Sequence, residues 1–321
     1  VELGLFFDLR NPQQWARPWP EFYRRTLDTI AAAEDMGLGA AWFTEHHLFD
    51  DGYLPQPLTF LAAVAARTTR ITIGTAVLLA ALRPAMLVAE EVAVVDQISG
   101  GRLQLGIGAG YSPREFAAYD TDITKKYGLT DEAVREIRRL LDDGIVTPPA
   151  AQNPFPIWLG YQGPQGAARA GRLGVGLLSL DRTLLEPYRT GLAEAGHDPE
   201  SARTGGMLDI IVADDPEAAL ARIVPHYAHQ LNTYRHAGVA GSGAPTPKEI
   251  TAERLLGGSI SPGVIPGLRV LTPVDAVAAI RDAVADAPVE QVYLWGNVAA
   301  MPDDLADRHV ELLCTQVAPR L

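Results

Sequence analysis

A repeated alternation narrows the fold more than any other feature. A short, mostly apolar run is followed by a longer helical stretch, eight times along the chain. The short runs are Leu3–Phe7, Ala40–Thr44, Ile71–Ala76, Leu103–Ile107, Ile157–Leu159, Gly176–Leu178, Met207–Val212 and Gln291–Leu294. Strands of this kind suit a parallel sheet buried on both faces. The helical stretches are Glu21–Met36, Gln56–Thr68, Pro84–Ile98, Asp131–Asp142, Pro164–Leu173, Leu184–Ala195, Pro216–Ala237, Pro273–Ala285 and Pro302–Val317. Proline opens several of them, and Gly37, Gly144, Gly174, Gly196 and Gly238 follow helical ends. Eight βα units predict an α/β fold, a single (β/α)8 TIM barrel. A doubly wound sheet usually has fewer strands, and no G-x-G-x-x-G motif follows the first run. One domain over 1–321 is expected, with excursions at about 108–130, 145–156 and 239–272; insertions thus follow strands 4 and 7.

Charge and cysteine content exclude several classes of function. The formal net charge of -12 argues against a nucleic-acid partner or an anionic membrane surface, both of which need basic patches. The apolar-rich stretch 76–95 is broken by Arg83, Pro84, Glu90 and Glu91, so no membrane span is expected. The opening run Val1–Phe7 is too short for a signal-peptide core. The single cysteine, Cys314, reads as a small apolar residue on the last helix. It allows no internal disulfide, and a cytoplasmic location is expected.

In a barrel of this kind the chemistry sits just after the strands, at their C-terminal ends. The second strand runs straight into Glu45, His46 and His47. Adjacent histidines point in different directions, so one of the two is expected to face the mouth, where an imidazole can move protons near neutral pH. No metal is expected, because no other His or Cys cluster has ligand spacing. The third strand ends in Gly74–Val77, without a titratable group; small residues there suit either close approach by a flat ring or plain barrel packing. The fourth carries Gly106, Gly108 and Gly110. After the fifth, Gly160, Gly163 and Gly166 surround a helix start near Pro164. Amides at a helix start suit an anion such as a phosphate, but residue types alone leave a simple Gly-rich turn equally open. His197, His226, His229, His236 and His309 read as surface or packing residues.

Taken together, WFTEHH, ITIGTAVLL, RPAMLVAEEVAVVDQISGGRLQLGIGAGYSPREF, PFPIWLGYQGPQGAARAGRLG and VYLWG resemble the bacterial-luciferase-like family of flavin-dependent monooxygenases. The resemblance spans nearly the whole chain. It implies a two-component enzyme that takes reduced FMN (FMNH2) from a separate flavin reductase and oxidises a small organic substrate with O2 through a C4a-hydroperoxyflavin. Alternatives on the same fold are an F420-dependent hydride-transfer oxidoreductase and a non-catalytic flavin-binding barrel. By position, the resemblance implies His46 as the catalytic residue, supported by Glu45 and His47. It implies a non-proline cis peptide at Ala76–Val77 against the flavin ring, with Gly108, Ala109 and Tyr111 nearby. Gln162, Gly163, Gln165 and Gly166 would hold the phosphate. The resemblance places Ala109 where the luciferases have an arginine; Arg83 or Arg169 could supply positive charge instead, or be plain surface residues. The substrate is expected over the ring, walled by Phe7, Asp8, Trp42, Tyr111, Trp295 and the 239–272 excursion. A homodimer is expected through helix 56–68, whose Ala62, Ala63, Ala65 and Ala66 permit close helix packing.

Overall fold

The computed structural model describes all residues, Val1–Leu321. Eleven strands form: β1 (Glu2–Phe7), β2 (Ala40–Phe43), β3 (Thr72–Thr75), β4 (Leu103–Ile107), β5 (Ile157–Leu159), β6 (Gly176–Leu178), β7 (Thr204–Leu208), β8 (Ile210–Val212), β9 (Val264–Ile265), β10 (Leu268–Leu271) and β11 (Val289–Trp295). Eleven α-helices accompany them: α1 (Trp19–Asp35), α2 (Pro57–Arg67), α3 (Ala85–Ser99), α4 (Pro113–Ala118), α5 (Lys126–Asp142), α6 (Gly163–Arg172), α7 (Leu185–Glu194), α8 (Pro216–Val239), α9 (Ala252–Leu256), α10 (Pro273–Val284) and α11 (Asp303–Leu312). Eight parallel strands close a barrel in the order β1-β11-β7-β6-β5-β4-β3-β2. This is the expected TIM-barrel fold. No helix is long and apolar enough to cross a membrane.

Strand parity divides the apolar residues into two cores. Leu3, Leu5, Phe7, Phe43, Ile73, Leu105 and Leu159 face the surrounding helices. Phe6, Trp42, Trp158, Tyr293 and Trp295 belong to a second cluster. Paired neighbours in a parallel sheet share a face, and Phe6 is paired with both Trp42 and Trp295. The second set therefore fills the barrel interior. Glycine makes room for it: a Cβ on Gly74 would lie 2.6 Å from the Trp42 ring.

One expected strand proves to be two. Met207–Val212 was read as a single run, but the barrel strand begins earlier, at Thr204, and ends at Leu208. Beyond Asp209 the chain leaves the barrel, and Ile210–Val212 pairs with β10 in a small sheet of order β8-β10-β9. The Gly205–Gly206 pair lacks the β-branched side chains that mark a strand. The 239–272 excursion is correspondingly more ordered than a loop, since it contains α9, β9 and β10. It returns along α8, where Asn232 Nδ2 donates to Ile250 O and Ile250 N donates to Asn232 Oδ1, both at 2.9 Å. After β4, the insertion forms α4 and a 3-10 turn, and α5 starts at Lys126 rather than at Asp131.

Candidate functional site

The loops after β2, β3, β4 and β5, with the first turn of α5, line a cavity of about 320 Å³ at the C-terminal end of the barrel. It is lined by Thr44, Glu45, His46, Val77, Leu79, Gly108–Tyr111, Lys126, Tyr127 and Gly160–Gln162. That volume lies in the range of small-molecule and cofactor sites. Short side chains form one wall. A Cβ on Gly108 would come within 2.2 Å of Val77, and one on Gly160 within 2.6 Å, so larger residues would push Val77 into the space. The Ala76–Val77 peptide is cis, as the resemblance implied.

His46 reaches the cavity because β2 ends at Phe43 and the chain turns at once. Its Nδ1 donates to Glu115 Oε1 at 2.8 Å. The same oxygen accepts the His47 backbone N–H at 2.7 Å, so it acts as an acceptor and leaves the proton on the imidazole. Glu115 is fully buried, and its Oε2 has no partner. His46 Nε2 is thereby left without a protein partner.

His47 turns the other way. Its Nε2 donates to Glu45 Oε1 at 2.8 Å, and its Nδ1 accepts from Tyr119 Oη at 3.1 Å. Glu45 also accepts from Leu79 N at 2.7 Å and pairs with Arg83. Burial by itself would raise the Glu45 carboxyl; the bond from His47 and the charge of Arg83 outweigh it and hold the group below the usual carboxylate range.

Four aromatic rings surround His46, with centroids 4.8 Å away for Tyr53, 5.1 Å for Phe49 and Tyr111, and 5.8 Å for Tyr234. Burial pushes the Tyr111 hydroxyl well up, and its oxygen has no partner. Tyr53 and Tyr234 share a hydrogen bond at 2.7 Å. Behind them lies Arg10, whose guanidinium sits 5.1–5.4 Å from the Phe49, Tyr53 and Tyr234 rings. Arg10 Nε donates to Asp51 at 2.8 Å, and Nη2 donates to Thr233. His229 donates to Asp51 at 2.8 Å. The C-terminal half of α8 is therefore fastened to the loops after β1 and β2.

Most of the residues expected to wall the substrate lie outside the cavity that holds His46: none of Phe7, Asp8, Trp42 and Trp295 lines it. Phe7 lies on the helix-facing side of β1 and stacks on Phe43. Trp42 and Trp295 fill the barrel interior, where Trp295 Nε1 donates to Asp209 at 3.0 Å. Asp8 lines a separate cleft between the ends of β1 and β11, beside Arg10, Gly296 and Asn297. Burial pushes its carboxyl up to about 7 against the pull of Arg10. The 239–272 excursion contributes nothing to the His46 cavity, although Ala240 lines an adjoining cleft with His47, Arg114 and His236.

The expected sources of positive charge are also committed elsewhere. Arg83 pairs with Glu45 and Glu91, and Arg169 pairs with Asp131. Of the residues expected at the phosphate, Gln162 lines the cavity and Gly163 begins α6, with Gln165 and Gly166 in its first turns. The sequence reading missed Glu115, Lys126, Tyr53 and Tyr234. Glu115 lies four residues after Tyr111 in the quoted GAGYSPREF block. Tyr53 and Tyr234 carry no local signal, because only the tertiary fold brings Tyr234 on α8 against Tyr53 in the loop after β2. His309 and His226 are packing residues, buried and bonded to backbone, rather than surface ones.

A family model described as luciferase-like monooxygenase matches residues 2–260. The chain is similar to the F420-dependent glucose-6-phosphate dehydrogenase of Kineococcus radiotolerans, at 31% identity over 61% of this chain and 66% of that protein. It is also similar to the 4-hydroxyprotoasukamycin monooxygenase of Streptomyces nodosus subsp. asukaensis, at 27% identity over 92% of this chain and 86% of that one. The alignments span 47%, 68% and 66% of the lengths of the first three curated relatives. Among solved structures, monooxygenase RslO1 from Streptomyces bottropensis superposes with a TM-score of 0.78 at 24% identity, covering 99% of both chains. This last likeness carries the fold.

Proposed function

The chain belongs to the luciferase-like monooxygenase family, and from that premise we propose that it is a flavin-dependent monooxygenase working on reduced FMN delivered by a separate reductase. It is an oxidoreductase; the finer assignment rests on the site. The observation that carries it is His46, held by Glu115 and lining an open cavity whose wall is made of glycine and small side chains. Those residues fit a planar ring with a phosphorylated tail. Gly108, Ala109 and Gly160 leave the wall flat, Val77 supports it, and the Gln162–Gly163 turn presents main-chain amides ahead of α6.

Reduced FMN bound there would supply two electrons for activating O2. The protein's own residues do the rest. Glu115 keeps the proton on His46 Nδ1, so Nε2 is free to accept a proton from a reacting group or to return one. Phe49, Tyr53, Tyr111 and Tyr234 restrict water around the imidazole, and Tyr111, which lines the cavity, offers apolar surface to an organic substrate. In this reading His46 is catalytic, while Glu45 and His47 brace the loop with Arg83 and Tyr119. Phe7, Asp8, Trp42 and Trp295 lie outside this cavity.

A second reading keeps the site and exchanges the cofactor for F420, with hydride transfer in place of oxygen chemistry. The F420-dependent activity of the Kineococcus relative favours it. A non-catalytic flavin binder has no need of a histidine pair in which each ring is oriented by its own glutamate. The deciding experiment titrates the protein anaerobically with reduced FMN and with F420, then admits oxygen. Binding of reduced FMN with altered kinetics of flavin oxidation supports the monooxygenase. Binding of F420 alone replaces it with the second reading, and binding of neither rejects both.

We further propose a homodimer through α2 and α3. Ala63 and Ala66 are exposed on α2, whereas Ala65 turns inward. Leu87, Val94 and Ile98 on the neighbouring α3 are 44–48% exposed and follow one another at helical spacing.

A further inference from the structure

We propose that Lys126 is the cation that binds the phosphate of the cofactor. The proposal rests on the flavin-type cofactor argued above and adds the residue that discriminates phosphorylated from unphosphorylated forms.

Three observations single out this lysine. It is the only lysine or arginine among the cavity-lining residues. It has no acidic partner, whereas Arg83 and Arg169 are both tied to carboxylates. Glu45, the cavity's acid, is already engaged by His47, Arg83 and the Leu79 amide. Position is the third. Lys126 opens α5, and its Nζ donates to Gly110 O at 3.0 Å while lying 5.1 Å from the centre of the Tyr127 ring. Tyr127 in turn packs edge-on against Tyr161, with centroids 5.5 Å apart, and Tyr161 directly precedes Gln162 and α6. The ammonium therefore lines the same cavity as Gln162, the residue just ahead of α6. An ammonium carries three donors. One is spent on Gly110, which fixes the side chain, and two remain for an anionic oxygen. Cation and main-chain amides together make a stronger anion site than either alone.

The ligand chemistry is a phosphate ester, and two cofactors carry one: FMN as a monoester and F420 as a diester. The test measures dissociation constants anaerobically for four probes: reduced FMN, reduced riboflavin, F420 and the phosphate-free deazaflavin core. The proteins are the full-length wild type, Lys126→Met and Lys126→Arg. Charge-assisted bonds contribute ~1.5–3 kcal/mol, which corresponds to roughly 10- to 100-fold in affinity. Lys126→Met is expected to weaken the phosphorylated member of whichever pair binds by that factor and to leave its unphosphorylated partner unchanged. Lys126→Arg is expected to retain most of the discrimination. The wild-type preference should also fall with added salt more steeply than that of Lys126→Met. An unchanged affinity of the unphosphorylated probe shows that the variant is folded and that the ring site is intact. If the phosphate preference survives in Lys126→Met, the lysine is not the phosphate ligand, although the cofactor reading stands. If the wild type binds none of the four probes, both fall.

Discussion

Glu115 shows how much of the site depends on a residue outside the lining of the His46 cavity. One carboxylate oxygen holds both the His46 ring and the His47 main chain. Glu115→Gln keeps the shape but can present an amide N–H where an acceptor is needed, so the wrong imidazole nitrogen carries the proton. Turnover is expected to fall by about 10²-fold or more, the span that acid–base catalysis supplies, with a displaced pH profile and unchanged cofactor affinity. Turnover and pH profile both equal to wild type would remove this positioning role. Asp8 makes a different prediction. Its folded carboxyl titrates near 7, above the unfolded value of 3.8, so the native state holds the proton longer. The associated stability is present below about pH 4 and is lost as pH rises to 7. Asp8→Asn is therefore expected to gain on wild type by a few kcal/mol between pH 4 and pH 8 in urea unfolding; a constant difference would refute it. Much of this site was legible beforehand. Glu45, His46 and His47 announce themselves by following a strand directly. Asp8, Trp42 and Trp295 fall outside the His46 cavity, because position in or near a strand end does not say which way a side chain points. Lys126 was invisible because a surface-type lysine acquires meaning only when α5 begins beside the mouth.

At the scale of elements, β4, β5 and β6 matched expectation to the residue, since buried parallel strands show up as compact apolar runs. The failure at β7 has a definite cause. A Gly-Gly strand followed by Ile210–Val212 places the stronger β signal on the wrong segment. His309 now stitches that region together. Its Nδ1 accepts from Val212 N at 2.8 Å, and its Nε2 donates to Trp295 O at 2.7 Å, which joins α11 to both β8 and the last barrel strand. Burial drives its pKa down to about 4. The unfolded imidazole binds its proton near 6.5, so stability is complete above that pH and is lost as pH falls toward 4. The loss attributable to this residue is about 3 kcal/mol. It should appear as a steeper acid dependence in wild type than in His309→Gln, measured by urea unfolding at steps from pH 7 to pH 4. Parallel curves would show that the histidine is not the acid-sensitive tie.

For the molecule as a whole, the closed barrel was the most legible property, because eight repeated units leave little choice of architecture. Quaternary structure was less so, since a run of alanines serves packing within a chain as well as packing between chains. The exposed Leu87–Val94–Ile98 stripe makes the dimer testable. Val94→Arg is expected to halve the mass in solution while leaving the circular dichroism unchanged. A wild type already monomeric at micromolar concentration would refute the pairing.

The sealed barrel interior also has an optical consequence. Three of the five tryptophans, Trp42, Trp158 and Trp295, are almost wholly shut away from water inside it. Their emission should be blue-shifted and should redden when the staves part. Because they lie beneath the mouth, a bound chromophore absorbing in the near ultraviolet would drain their excited states. The molecule thus carries its own gauge of both closure and loading, with no label attached.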